Sequence, residues 1–71
     1  MATKKQIVDD LRKNYGFMLS TAEARQALGY SDNRSALRFL EGIPRCDMGK
    51  EKKYLSSDIA NRILERMEDA S

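Results

Sequence analysis

The sequence predicts one small domain that is mostly α-helical and carries a single short β-hairpin. Apolar residues recur at helical spacing in four segments, and a segment containing Pro44 and Gly49 interrupts that spacing where a hairpin fits. A chain of 71 residues has room for one hydrophobic core, so we expect residues 1–71 to form a single domain.

A first helix is predicted over residues 3–15. Thr3 and Gln6 have the spacing of a capping box, and Gly16 follows as a stop signal. Its apolar face consists of Ile7, Val8, Leu11 and Tyr15, and its opposite face carries Lys5, Asp9, Arg12 and Lys13. We expect this helix to cover the core. The alternative, that its basic residues meet a phosphate backbone, is weaker because two neighbouring aspartates dilute the positive charge.

Residues 19–42 predict two short helices joined by a tight turn. Ser20 and Glu23 form a second capping box, and Gly29 can take the left-handed conformation that reverses the chain within a few residues. Ser31 or Asp32 is expected to cap the following helix, and capping is the preferred role of Asp32 because a carboxylate is favourable at a helix N-terminus and unfavourable against phosphate. This arrangement is typical of a helix-turn-helix. The apolar run before it is expected to be an extended link that brings Phe17 into the core.

The second helix of this pair has two distinct faces. The face expected to lie inside consists of Ala36, Phe39, Leu40 and Ile43. The other face presents Asn33, Arg34, Ser35, Arg38 and Glu41, with Leu37 on the border. Asparagine and arginine can each make two hydrogen bonds to one base edge in DNA. A polar outer face is also expected of a helix that meets only solvent, so this face alone does not decide the function.

The segment 43–55 predicts the hairpin and carries a local excess of positive charge. Between residues 34 and 53 there are six basic and three acidic residues, whereas the rest of the chain holds seven basic and eight acidic residues. The six are Arg34, Arg38, Arg45, Lys50, Lys52 and Lys53. Phosphate binding requires such local clustering. Lysines on an edge strand also prevent aggregation, and this is the alternative for each lysine taken singly.

A last helix is predicted after the hairpin, capped by Ser56 or Ser57 with Asp58 in its first turn. The stripe that closes the core consists of Ile59, Ala60, Ile63, Leu64 and Met67. The outward residues, among them Arg62 and Arg66, are expected to face water.

Composition argues against catalysis and against a resident cofactor or metal. Histidine is absent, and Cys46 is the only cysteine, so the usual general base, the common metal-ligand sets and any internal disulfide are missing. We expect Cys46 to be a half-buried strand residue and not a nucleophile. No apolar run reaches the length of a membrane span or a signal-peptide core, so a cytoplasmic protein without a membrane partner is expected.

The order and spacing of several short motifs resemble a known family. A helix ends in Leu28-Gly29-Tyr30-Ser31, a second helix is followed by Gly42-Ile43-Pro44, and a basic hairpin leads through Tyr54 to Asp58-Ile59. Over residues 17–67 this resembles the small winged-helix DNA-binding proteins of the excisionase group, also called recombination directionality factors, and the related MerR-type domains. Two departures are an extra residue in the turn, Asp32 or Asn33, and a hairpin made less basic by Asp47 and Glu51. The helix over residues 3–15 lies outside the pattern.

The resemblance implies a winged helix-turn-helix plus an extra N-terminal helix. Its second helix would enter the major groove of double-stranded DNA, and its hairpin wing would reach phosphates or the minor groove. Such proteins commonly bind repeated sites on phage or mobile-element DNA, often cooperatively, bend the DNA, and steer an integrase toward excision or regulate transcription.

We therefore expect a non-catalytic DNA-binding protein whose partners are duplex DNA, an integrase or recombinase, and further copies of itself on DNA. Arg34 and Arg38 are the predicted base contacts, Asn33 and Ser35 read bases or position the helix, and Arg45, Lys50, Lys52 and Lys53 hold phosphate. An excisionase and a small repressor are not separable from the sequence. A rival from another class is a protein-binding adaptor or antirepressor, for which Leu37 and Met48 are the candidate apolar contacts.

Overall fold

The computed structural model of the chain describes residues 3–70, and side chains over residues 3–67. Over this range the chain forms four helices and three strands. They are α1 (Lys4–Tyr15), β1 (Met18–Ser20), α2 (Thr21–Leu28), α3 (Asn33–Leu40), β2 (Cys46–Met48), β3 (Glu51–Leu55) and α4 (Ser56–Ala70). The strands make one antiparallel sheet in the order β1-β3-β2. The mostly helical class is confirmed.

The helix ends follow from local hydrogen bonds that the sequence predicted. Thr3 and Ser20 each form a complete capping box, at the starts of α1 and α2. The Asp32 carboxylate accepts from the backbone N–H of Ser35 at 2.8 Å and caps α3. Gly29 has φ +80°, and its N–H donates to the Arg25 carbonyl at 3.0 Å, which closes α2 in the left-handed conformation.

The predicted hairpin is the larger part of a three-stranded sheet. β2 and β3 form the hairpin, and β1 adds to the other edge of β3 with Leu19 opposite Tyr54. The extended link predicted before α2 is therefore a strand. Its backbone groups pair with β3, and the Ser56 N–H adds a further hydrogen bond to the Phe17 carbonyl at 3.0 Å.

Phe17 does not enter the core, and that prediction was wrong. Its side chain is 59% exposed, because it precedes the first paired residue of β1 and lies at the edge of the sheet. The Arg12 guanidinium covers its ring at 5.7 Å from the centroid. The first buried side chain of this segment is Leu19, which is fully enclosed.

The core lies between the sheet and the helices. Its buried apolar members are Leu11, Leu19, Ala24, Ala36, Phe39, Leu40, Tyr54, Ile59 and Ala60. Half-buried side chains of α1, together with Ile43 and Ile63, pack against this cluster. α1 also lies along α4, so the prediction that the first helix covers the core is confirmed.

α4 begins at Ser56, without a linker after β3. The cap predicted at Ser56 or Ser57 was wrong, because both residues already lie inside α4. The Ser56 side chain is buried, and within the described residues its hydroxyl has no hydrogen-bond partner. The Ser56 N–H donates to the Phe17 carbonyl, so the helix follows directly on the last hydrogen bond to the β1 segment. Within the described part of the chain, no helix has the length and apolar character needed to cross a membrane.

Candidate functional site

The turn between α2 and α3 is short and held by hydrogen bonds at both ends. The Tyr30 N–H donates to the Arg25 carbonyl at 3.1 Å, and Asp32 caps α3. The pKa of the Asp32 carboxyl lies below its ordinary value, chiefly because the Ser35 N–H donates to it, with smaller contributions from the Ser35 hydroxyl, Arg38 and Arg25. The role predicted for Asp32 is confirmed.

α3 has one buried face and one exposed face, as its sequence predicts. Ala36, Phe39 and Leu40 are buried. Arg34, Leu37 and Arg38 are exposed, and so is Asn33 in the first turn of the helix. Ser35 is only half-buried and lies beside the cap, on the side of α3 that faces α4. Of the predicted face, only Ser35 is not exposed; the exposed residues are Asn33, Arg34, Leu37, Arg38 and Glu41.

Three arginines from α3 and from the segment before β2 line one cleft. Arg34 and Arg38 of α3 and Arg45, which precedes β2, line one open cleft of about 580 Å³. Among the described side chains, no carboxylate forms an ion pair with any of these three arginines. Leu37 and Tyr54 also line this cleft, and Glu41 contributes one acidic group. We call it the arginine cleft.

The hairpin lysines divide between the two faces of the sheet. Lys52 pairs with Asp47 and precedes Tyr54 by two residues. Because side chains alternate along a strand, Lys52 and Tyr54 lie on the same face of the sheet, and Tyr54 lines the arginine cleft. Lys53 lies on the opposite face, half-buried, with Nζ 3.8 Å from Glu51 Oε2. Lys50 is exposed in the turn. Of the eight predicted site residues, Arg34, Arg38 and Arg45 thus share one cleft, and Lys52 points to the same side.

The turn of the hairpin is shaped by its own side chains. The Asp47 carboxylate accepts from the Gly49 N–H at 3.0 Å, and Gly49 has φ +87°. Asp47 is therefore engaged in the turn. Cys46 is half-buried in β2, as predicted, with its thiol 3.6 Å from the Met48 sulfur.

Arg62 of α4 has a role that the sequence did not reveal. Its Nη1 donates to the carbonyl of Phe39 at 2.6 Å and to that of Glu41 at 3.0 Å, so it holds the C-terminal end of α3. The prediction that Arg62 faces water was wrong, because the end of α3 lies against this part of α4. No local signal could have revealed this role, because Arg62 is 23 residues from Phe39 and 21 from Glu41 in the sequence.

A second, smaller cleft lies on the other side of α3. It has a volume of about 240 Å³ and is lined by Tyr30, Ser35, Arg38, Phe39 and Arg66. The Arg66 guanidinium lies 5.7 Å from the centre of the Phe39 ring. Arg38 lines both clefts.

No protein-family model, curated protein or solved structure was found to match this chain. Within the described residues, no group of three or more cysteine, aspartate or glutamate side chains is placed to hold a metal ion. The candidate site is therefore defined by its own geometry, as an open cleft lined by three arginines, one glutamate and several apolar side chains, of which Leu37 is the exposed one.

Proposed function

We propose that this chain is a sequence-specific protein that binds double-stranded DNA and acts by binding alone. In this proposal the fold is a winged helix-turn-helix: α2 and α3 are its two helices, α3 enters the major groove, and the β2–β3 hairpin is the wing. The observation that supports it is the meeting of Arg34, Arg38 and Arg45 in one exposed cleft without ion-pair partners among the described residues.

Three arginines and one glutamate line this cleft, so its net positive charge suits an anionic partner. Duplex DNA offers regularly spaced phosphates beside base edges that accept hydrogen bonds from arginine. We assign Arg34 and Arg38 to base or near-base contacts, with Asn33 beside them at the start of α3. Arg45, Lys50 and Lys52 are assigned to phosphate. Lys53 contributes only general positive charge, because it lies on the other face and near Glu51.

The rival function, a protein-binding adaptor, needs an exposed apolar patch. Five large apolar side chains are exposed among the described residues: Phe17, Tyr30, Leu37, Met48 and Met67. The two candidates from the sequence are Leu37 and Met48. Leu37 lines the arginine cleft, whereas the strand alternation places Met48 on the other face of the sheet from Tyr54. The two therefore do not form one patch, which favours the DNA proposal.

Within DNA binding, we propose an excisionase that binds repeated sites, bends the DNA and acts with an integrase in the cytoplasm. A small transcriptional regulator of a mobile element is the alternative. Support for this finer assignment comes from the residue pattern over residues 17–67. Cooperative binding to repeats together with a DNA bend would favour the excisionase over a regulator that binds one site without bending it.

The first experiment is a fluorescence anisotropy titration of a labelled random-sequence duplex, repeated from about 50 to 200 mM salt. The three assigned phosphate contacts give a slope of about −3 for the logarithm of the association constant against the logarithm of salt. If Arg34 and Arg38 also meet phosphate on a random duplex, about five phosphates are engaged and the slope is about −4 to −5. An adaptor should show no binding even at the lowest salt. A flat salt response, or no binding, would contradict the proposal.

A matched pair of triple variants separates the site from the net charge. Replacing Arg34, Arg38 and Arg45 by alanine removes three charges from the arginine cleft. Replacing Lys4, Lys5 and Lys13 by alanine removes the same charge from the exposed face of α1. We expect the first variant to lose binding and the second to retain most of it. Equal losses would show that binding depends on total charge and not on this cleft.

Single substitutions then assign the roles. Arg34→Ala should cost about 1–3 kcal/mol on the selected site and relax discrimination at one base pair. Lys52→Ala should weaken all sequences alike and make the salt slope shallower by about 1. If Arg34→Ala weakens specific and random duplex equally, Arg34 binds phosphate and not a base.

A further inference from the structure

Leu37 is an apolar side chain that α3 does not place in the core. It is 47% exposed, whereas Ala36, Phe39 and Leu40 of the same helix are buried. It follows Arg34 by one helical turn, precedes Arg38 directly, and lines the arginine cleft with both. A single exposed leucine is ordinary on a protein surface. An exposed leucine that shares one cleft with arginines suits a partner that is anionic and also offers an apolar group at close range.

Duplex DNA meets both conditions. The phosphates supply the anions, and the C5-methyl group of thymine is the apolar group that base edges present in the major groove. Three residues of helix advance about 4.5 Å, close to the roughly 3.4 Å between neighbouring bases. A leucine one turn from Arg34 therefore reaches the base pair next to the one that Arg34 contacts.

We propose that Leu37 contacts the C5-methyl group of a thymine, so that the target site contains an A·T pair beside the pair read by Arg34. This rests on the proposed function, since it assigns one position of the DNA site to one side chain. Leu37 thus acts as a specificity determinant, and its contribution comes from a methyl contact and not from a hydrogen bond.

The experiment removes the methyl group from the DNA and leaves base pairing intact. A site is first selected from a random duplex library with the wild-type chain. Each thymine of the selected duplex is then replaced singly by deoxyuridine, and the affinity is measured for the wild type, Leu37→Ala and Leu37→Met. We expect one position at which deoxyuridine weakens the wild type about fourfold, which is the ~0.8 kcal/mol of one buried methyl group at 1.4 kcal/mol per factor of ten.

At that position Leu37→Ala should bind the thymine and deoxyuridine duplexes equally, and Leu37→Met should keep part of the preference. Phe17→Ala, which alters an exposed apolar side chain that does not line the arginine cleft, should discriminate as the wild type does. A loss that is the same in the wild type and Leu37→Ala at every thymine overturns the Leu37 assignment and leaves DNA binding intact. If no duplex binds even at low salt, the proposed function is overturned, and the Leu37 assignment with it.

Discussion

Arg62 offers a quantitative test of how α3 is held. We consider Arg62→Ala, which removes the hydrogen bonds from Nη1 to the carbonyls of Phe39 and Glu41. The neighbouring carbonyls of Arg38 and Leu40 accept instead from the backbone N–H groups of Glu41 and Ile43. Arg62 therefore supplies a donor to two carbonyls at this helix end, and an eight-residue helix depends on such tertiary support.

The expected loss follows from the two hydrogen bonds and the burial of the side chain. A hydrogen bond from a charged group contributes about 1.5–3 kcal/mol. The two bonds share one nitrogen, and the side chain is 21% exposed, so water can partly replace them in the variant. We expect a net loss of about 2 kcal/mol in the free energy of unfolding. The Nε contact to Glu65 at 3.7 Å is a surface pair and adds little.

The assay is thermal and urea unfolding followed by far-ultraviolet circular dichroism. For a domain of this size, about 2 kcal/mol corresponds to a fall of roughly 8–16 °C in the melting temperature. Arg62→Lys keeps the charge but cannot reproduce the guanidinium geometry, so it should recover only part of the loss.

Arg66→Ala is the matched control, because it removes an arginine one turn further along the same helix. Arg66 lies over the Phe39 ring and forms no hydrogen bond to α3 among the described residues. Arg66→Ala should lower the free energy of unfolding by at most about 1 kcal/mol, the value of an exposed cation–π contact. If Arg62→Ala melts at the temperature of the wild type or of Arg66→Ala, the hydrogen bonds to α3 do not contribute as argued.

Two further predictions concern single side chains. Because the pKa of Asp32 is lowered in the folded chain, its stabilising effect is complete above the unfolded-state value of about 3.9 and is lost as the pH falls through the folded value. Asp32→Asn is the control, because asparagine can cap the helix but does not titrate. Below about pH 4 the urea midpoint should therefore fall more steeply with pH in the wild type than in Asp32→Asn. Parallel curves would contradict this prediction. Ser56→Ala should leave stability unchanged or raise it, since the buried hydroxyl has no partner among the described residues; a loss above about 1 kcal/mol would imply an unseen partner.

The helix boundaries were predictable because their causes are local. A capping box spans four residues, and a glycine stop is a property of one position. Ser20, Gly29 and Asp32 therefore act in the structure as their sequence context indicates. The strand β1 was missed because its cause is distant: Met18–Ser20 has only three residues and pairs with β3, more than 30 positions further along the chain. Its pairing with Tyr54 depends on the core and not on strand propensity.

The candidate site was predictable to the extent that it lies on one helix. The exposure of Arg34 and Arg38 follows from the position of Ala36, Phe39 and Leu40 in the same helix. The hairpin lysines were not separable in this way. A shift of one residue in the strand register exchanges the two faces, and the register is set by the burial of Tyr54 against Leu19. Lys52 and Lys53 therefore look equivalent in the sequence and lie on opposite faces in the fold.

Arg62 connects the stability of the fold to the geometry of the site. Arg38 lies in the last turn of α3, and Arg45 follows the Glu41–Gly42 turn whose first carbonyl Arg62 binds. If that end of α3 loosens, Arg38 and Arg45 lose their fixed separation, whereas Arg34 near the capped N-terminus does not move. If the chain binds DNA as proposed, Arg62→Ala should weaken duplex binding at temperatures where the chain is still folded, with a larger effect on the contacts proposed for Arg38 than on those proposed for Arg34. A folded variant with undiminished affinity would contradict this link between Arg62 and the site.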